Sequence, residues 1–262
     1  MALNLPEPVT DRLGNPPLKL VVCQIRFEET PAVSEGRVGL GVYEALGGAE
    51  GPYPQLGEFR GEQLDITMAP GAPASTQRTP LSGWRYVSAD GNWTVLLLPG
   101  SVALETKAYT TWTDDFEARL RSILLALVPH VRPSIQLRLG LRYVDVITRP
   151  GTASPQGWDG LISETLLGPI KHPNIGPAVI SAQQQVDMNL GDSVRCTLRH
   201  GTAIEATSGS PGYLLDWDIY TESPKSLDPS LAIDTLRSFN RLALRLFQVA
   251  ITPTLLDELR QA

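Results

Sequence analysis

An alternation of apolar and polar residues marks the stretch at 134–148 in the middle of the chain, and it is regular from Ile135 to Tyr143. Apolar side chains occupy every second position from Ile135 to Tyr143, whereas the positions between them include Arg138 and Arg142. Successive side chains of a β-strand point to opposite faces of the sheet. The alternation therefore predicts a long strand with one buried face.

Hydrophobic periodicity and turn residues predict further elements on either side of this strand. Residues 1–18 contain four prolines, which favour extended backbone, so we predict an extended N-terminal arm. Strands are predicted at 19–28, 63–68, 84–87, 93–98, 101–106, 179–190, 194–200 and 213–221. Helices are predicted at 33–47, from Thr113 to the prolines at 129 and 133, at 158–167, and from the capping residue Asp228 to Thr252. Loops are predicted at 48–61 and 69–82.

The two halves of the chain echo each other. Residues 25–29 and 141–145 share the pattern apolar, arginine, aromatic, any residue, acidic, at an offset of 116. The elements that follow repeat in order and end in a long helix in each half. We therefore predict an α+β fold of two related β-α-β-β-β-(β)-α halves, residues 19–130 and 131–262, behind the arm at 1–18. Their antiparallel sheets, separate or joined into one curved sheet, are expected to be covered on one face by the long helices.

Composition narrows the classes of function. Apolar residues make up 42% of the 262 residues and charged residues 19%, which is typical of globular proteins. The net charge of −6 argues against sequence-independent nucleic-acid binding, which depends on many Lys and Arg neutralising phosphates, but it does not exclude a local basic face. No apolar run is long enough to span a membrane, and the N-terminus lacks the basic and apolar segments of a signal peptide. Because Cys23 and Cys196 are the two cysteines, we expect free thiols, a cytoplasmic location and no metal site.

The candidate chemistry lies in arginines and aspartates on the predicted strands. Arg26 and Arg142 occupy equivalent positions in the two halves, and Asp216 and Asp218 share one face of a strand. Together with Arg138, they form the candidate ligand-binding site. Two functional interpretations are open for these five residues: a site for a small anion or carboxylate where the halves meet, and an enzyme in which paired carboxylates act as acid and base.

A structural role competes with both functional interpretations. Oppositely charged side chains on neighbouring strands form ladders that tie a sheet together, and each such pair contributes little. In this role each arginine ties the acidic residue that follows it, Glu29 for Arg26 and Asp145 for Arg142. Because the same pattern occurs twice, the structural role is favoured over a unique active site.

Three aromatic residues, Trp84, Tyr86 and Trp93, cluster on one predicted hairpin. A stacking platform for nucleic-acid bases needs flanking basic residues, and few are present here. We therefore expect these side chains to pack in a core or to bind a partner, either another protein or a second copy of the chain. The histidines at 130, 172 and 200 lack ligand spacing, and no cofactor-binding motif occurs. We predict no catalytic residue and no cofactor.

Several stretches together carry a resemblance to a known family: Asn15–Leu18, Val22–Phe27, Trp84–Gly91, Tyr109–Phe116, Arg138–Asp145, Leu215–Tyr220, Phe247 and the pair Ile251 and Thr252. In their order and spacing they resemble a family of bacterial proteins described as "sporadically distributed protein". Its members often carry a histidine where this chain has Asn240, so the resemblance assigns no catalytic role to that position. The family has no established activity. Its patchy distribution implies an accessory role, such as phage defence or a toxin–antitoxin-like locus.

The sequence thus predicts a non-catalytic binding or regulatory protein that acts through protein contact or a small anionic ligand. Two alternatives stay open: an enzyme with an Asp/Arg site at the junction of the two sheets, and nucleic-acid binding on a curved sheet. The neighbours of Arg142 distinguish these interpretations. A closed network of ion pairs favours the structural role, whereas an open pocket with unpaired carboxylates favours a ligand site or an enzyme.

Overall fold

The computed structural model describes residues 3–67 and 75–261 and has the α+β fold that the sequence predicts. Within these ranges ten strands form one antiparallel sheet: β1 (Leu18–Phe27), β2 (Gln55–Thr67), β3 (Ser75–Val87), β4 (Trp93–Leu98), β5 (Ser101–Thr106), β6 (Ile135–Thr148), β7 (Gln183–Gly191), β8 (Val194–Ile204), β9 (Pro211–Thr221) and β10 (Lys225–Ser226). Five α-helices accompany it: α1 (Gly36–Ala45), α2 (Glu117–Val131), α3 (Glu164–Leu167), α4 (Pro229–Ala250) and α5 (Pro253–Arg260). None of the helices in the described ranges is long and apolar enough to cross a membrane.

The sheet is centred on the pair β1 and β6. Its strand order is β2-β3-β4-β5-β1-β6-β9-β8-β7, and β10 pairs with the start of β6. All neighbouring strands are antiparallel, and Gln24 of β1 lies opposite Gly140 of β6. The strand that opens the second half of the sequence is therefore in the middle of the structure, where it contacts strands from both halves.

The odd-numbered face of β6 contributes to the hydrophobic core. Leu139, Leu141 and Tyr143 are buried there, as the alternation predicts. Helix α4 packs against β6 and β9, and α2 packs against α4. Helix α4 begins as predicted. The Asp228 carboxylate accepts hydrogen bonds from the first-turn amides, and Pro229, at the first helical position, has no amide hydrogen that would be left unpaired there.

Two predicted loops are wrong in part. Strand β2 begins at Gln55, inside the predicted loop 48–61, and β3 begins at Ser75, inside the predicted loop 69–82. Residues 69–74 of the second loop, and the last residue of the predicted strand 63–68, lie outside the described residues. The two strands pair with each other along their whole length, and β4 pairs only with the last residues of β3. A ribbon at a sheet edge needs no alternating apolar pattern and tolerates proline, so its sequence looks like a loop.

The predicted helix at 158–167 is wrong in extent. The segment forms a short 3₁₀ turn at Pro155–Trp158 and a single helical turn, α3. Gly160 between them has a φ of +75°, which a helix cannot accommodate. The start of α2 also differs, because a π-helical turn, Trp112–Phe116, precedes it. Thr111 rather than Thr113 caps that turn, and its hydroxyl accepts the amide of Asp114.

Candidate functional site

Arg142 and Asp216 form the tightest ion pair on the face of the sheet that also carries Arg138 and Asp218, here called the charged face. Nε and Nη2 of Arg142 donate to Oδ1 and Oδ2 of Asp216 at 2.6 and 2.7 Å. Arg199 of β8 approaches the same carboxylate at 3.6 Å. The Asp216 side chain is 3% exposed. Asp216 accepts both hydrogen bonds, which raise the pKa of Arg142, so each partner of the pair is engaged by the other.

A second closed pair joins Arg138 and Asp218. Nη2 of Arg138 lies 2.9 and 3.0 Å from the two carboxylate oxygens of Asp218, and Nη1 donates to Gln24 at 3.1 Å. The guanidinium lies 4.6 Å from the ring centre of Tyr220 and passes over Gly140. A side chain at Gly140 would occupy the guanidinium's position, so the glycine allows the arginine to reach across the strand.

The remaining predicted site residue, Arg26, does not join these pairs. It is exposed, lies opposite Arg138 in the register, and forms no ion pair with the described part of the chain. The predicted tie between Arg142 and Asp145 is wrong. Residues an odd number apart on a strand point to opposite faces, and Asp145 therefore lies on the helix side of β6.

The three hairpin aromatics lie mainly in the core. Tyr86 and Trp93 are buried, and the Tyr86 hydroxyl donates to the Gly39 carbonyl. Trp84 is half-buried, and its indole nitrogen donates to the Val33 carbonyl at 2.7 Å. The predicted partner role is therefore wrong for Tyr86 and Trp93, because the core of this chain already covers their rings. The predicted core role describes them.

A cavity of about 360 Å³ lies where α4 packs against β6 and β9, and we call it the arm pocket. Its floor is formed by β6 and β9, one wall by α4, and the remaining walls by residues 109–112 and by the N-terminal arm at 10–18. A volume of this size suits a small organic ligand. The principal aromatic and aliphatic lining residues are Tyr109, Trp112, Tyr143, Trp217, Leu244 and Phe247.

Asp145 is the one lining residue that is both acidic and buried among those that the structure describes. It is 6% exposed, and no cation or hydrogen-bond donor of the described residues contacts its carboxylate. Burial, with a smaller contribution from the negative charge of Asp216, raises the pKa of Asp145 to about 7. Buried charges are ordinarily paired, so an unpaired carboxylate in a cavity calls for a functional explanation.

The polar groups beside Asp145 are organised around Asn240 of α4. Oδ1 of Asn240 accepts the hydroxyls of Tyr143 and Tyr109 at 2.8 and 3.3 Å. The two tyrosine rings meet edge to face, 5.8 Å between centres, which fixes their positions. On the same floor, the buried Nε1 of Trp217 has no acceptor within the described residues. Because the two tyrosine hydroxyls are already engaged, the Asp145 carboxylate is a buried acceptor that the pocket leaves free for a ligand.

The N-terminal arm closes the pocket and is held mainly by α4. Gln248 exchanges two hydrogen bonds with the backbone of Val9, at 2.9 and 2.7 Å. Arg245 donates to the carbonyls of Leu5 and Pro6, and the amide of Asn15 donates to Leu259. These contacts bind the segment immediately before the residues that line the pocket.

Replacing Gln248 with alanine is expected to release the arm. Loss of both hydrogen bonds to Val9 should speed hydrogen exchange at the Val9 and Asn15 amides by about tenfold or more. NMR-detected exchange measures this directly. Arg241→Ala is the matched control, since Arg241 is an exposed α4 residue that makes no hydrogen bond with the described part of the chain. Equal exchange in the two variants would show that Gln248 does not hold the arm.

No protein-family model matches the chain, and no curated protein matches it in sequence.

The arm pocket is not predicted from the sequence, although one signal for it is present. The odd-numbered face of β6 is apolar up to Tyr143 and is then interrupted by the acidic Asp145. An acidic residue at a core position of a strand is the pattern that could have indicated a site.

Proposed function

We propose that the protein is a non-catalytic binding protein, acting in the cytoplasm, whose arm pocket takes a small molecule. The observation that carries the proposal is the buried, unpaired carboxylate of Asp145 in a largely apolar cavity. Of the predicted modes of action, this favours a small ligand over protein contact. It does not favour an anion on the charged face, because Arg138 and Arg142 each hold a carboxylate there.

Binding is favoured over catalysis by the state of the polar groups in the pocket. The hydroxyls of Tyr109 and Tyr143 both donate to Asn240, and burial raises the pKa of each phenol. They therefore stay protonated and engaged, which suits fixed hydrogen bonding better than proton transfer. On the charged face, Asp216 and Asp218 are occupied by arginines, which argues against the alternative of an acid–base pair.

Filling the pocket should abolish ligand binding. Leu244 of α4 is half-buried and lines the pocket, so Leu244→Trp is expected to project an indole into the cavity. Mass spectrometry of small molecules that co-purify with the protein from its own host should detect a compound with the natural chain and at least about tenfold less of it with Leu244→Trp.

Leu242→Trp is the matched control, because Leu242 is also half-buried on α4 but does not line the pocket. It should retain the co-purifying compound, with both variants folded by circular dichroism. Two outcomes would argue against the pocket as the binding site. In one, Leu244→Trp and Leu242→Trp retain the compound equally; in the other, no compound co-purifies with the natural chain.

We further infer that the two halves arose by duplication and that the long helices cover one face of the sheet. Supporting this, the first strand of each half pairs with the last long strand before its long helix, β1 with β5 and β6 with β9. The packing of α4 on β6 and β9 and of α2 on α4 supports the covered face. Homologous sequences that did not keep the 116-residue offset would contradict the duplication.

The resemblance to the sporadically distributed family, and with it a defence or toxin–antitoxin-like locus, stays a prediction.

A further inference from the structure

We propose that the ligand of the arm pocket carries a positively charged nitrogen, presented to Asp145 by a compact apolar or aromatic body. This inference rests on the proposed function and adds the chemical class of the ligand. It depends on three features of the pocket: the unpaired carboxylate, the aromatic walls and the sign of the surrounding charge.

The first feature is the carboxylate. Asp145 is more than nine-tenths buried and faces the cavity without a counter-charge among the described residues. Removing a carboxylate from water is strongly unfavourable unless a cation or several hydrogen-bond donors replace the water. A bound ammonium or amidinium group supplies both the charge and the donors in one contact. A neutral ligand supplies donors alone, and an anionic ligand would repel the carboxylate.

The second feature is the set of aromatic rings around the carboxylate. Tyr143 precedes Asp145 by two positions on the same face of β6, and Trp217 lies opposite Tyr143 on β9. Tyr109 stands edge to face against Tyr143. The faces of such rings attract cations, most strongly where water is excluded. The same rings favour an apolar or aromatic body on the ligand.

The third feature is the electrostatic field. The chain carries a net charge of −6. Among the charged residues that line the pocket, Asp11 and Arg12 offset each other in formal charge, and Asp145 leaves the lining net negative. A negative field raises the local concentration of cations and their rate of association. Each of the three features therefore selects against anions and for cations.

Three probes of nearly equal size test the charge: 2-phenylethylamine, 2-phenylethanol and 3-phenylpropanoate. Affinities are measured by calorimetry and by ligand-detected NMR at pH 8.5, where Asp145 is ionised and the amine is protonated. We expect the amine to bind at least about tenfold more tightly than the alcohol, and the anion not to bind. In Asp145→Asn, amine affinity should fall about 30-fold and alcohol affinity by no more than about twofold.

Failure of the cation inference and failure of the pocket give different results. If the alcohol binds as tightly as the amine, or the anion binds best, the cation inference is overturned while the pocket stands as a binding site. If Leu244→Trp leaves amine binding unchanged, the amine binds elsewhere and the inference is again overturned. Binding of none of the three probes overturns both proposals. If the natural chain prefers the amine and this preference is lost in Asp145→Asn and in Leu244→Trp, the result supports the pocket as the binding site and the cationic class of its ligand.

Discussion

Substitution of Asp145 by asparagine is expected to stabilise the protein by about 2 to 4 kcal/mol at pH 8. At that pH the natural chain buries an ionised carboxylate with no counter-charge among the described residues, whereas asparagine is neutral and nearly the same shape. The raised pKa of Asp145, about 7 instead of 3.8, measures the free energy that ionisation takes from the folded state. Urea unfolding of both proteins at pH 8 gives the difference directly.

The effect should depend on pH with a definite sign. Between the ordinary pKa of 3.8 and the folded-state value of about 7, the folded protein holds the Asp145 proton and the unfolded chain has lost it. Stability of the natural chain therefore falls as pH rises through this window and levels off above about pH 7. Asp145→Asn should lack this fall, and the two proteins should be similarly stable near pH 4. The other titratable or charged groups around Asp145 are Asp11, Arg12, Tyr109, Tyr143 and, across the sheet, Asp216.

Asp145→Glu is the control for a general effect of substitution, because it keeps the charge and should keep the loss of stability with rising pH. Equal stability of the natural chain and Asp145→Asn at pH 8 would mean that the carboxylate is compensated, and both proposals for the pocket would lose their basis. A stabilising substitution at an unpaired buried acid is the expected signature of a group retained for binding, since function is often kept at the expense of stability.

The parts of the fold that the sequence predicts well are those in which one residue pattern has one physical cause. Strand β6 alternates because one face is buried, and α4 begins at Asp228 because a carboxylate and a following proline satisfy a helix N-terminus. The β2–β3 ribbon and the segment around Gly160 were mispredicted. In these two segments backbone pairing and a positive φ, rather than side-chain burial, decide the structure.

The candidate site was predictable only in its residue types. The sequence brings Arg138, Arg142, Asp216 and Asp218 together as charged groups on neighbouring strands, and the structure pairs them. It does not reveal that Asp145 faces a cavity, because the cavity is enclosed by the arm, α4 and residues 109–112, which are distant in sequence. Periodicity fixes which face of a strand a residue occupies, but not what covers that face.

Replacing Arg142 with methionine is expected to destabilise the protein by about 3 kcal/mol. The change leaves the Asp216 carboxylate, which is 3% exposed, with Arg199 at 3.6 Å as its cationic neighbour in place of a two-pronged pair at 2.6 and 2.7 Å. A buried carboxylate that loses its main partner is far costlier than a surface ion pair that opens into water. The free energy of unfolding in urea at pH 7 measures the loss.

Arg26→Met is the matched control, because Arg26 is exposed, lies on the central strand pair, and forms no ion pair with the described residues. It should change stability by no more than about 0.5 kcal/mol. Adding Asp216→Leu to Arg142→Met should recover most of the loss, since an apolar pair replaces an ionic one without leaving a buried charge. If Arg142→Met is instead as mild as Arg26→Met, the arginine is not needed to hold Asp216. Arg142 would then be free to bind an anion, and the charged face rather than the arm pocket would become the stronger candidate for a ligand site.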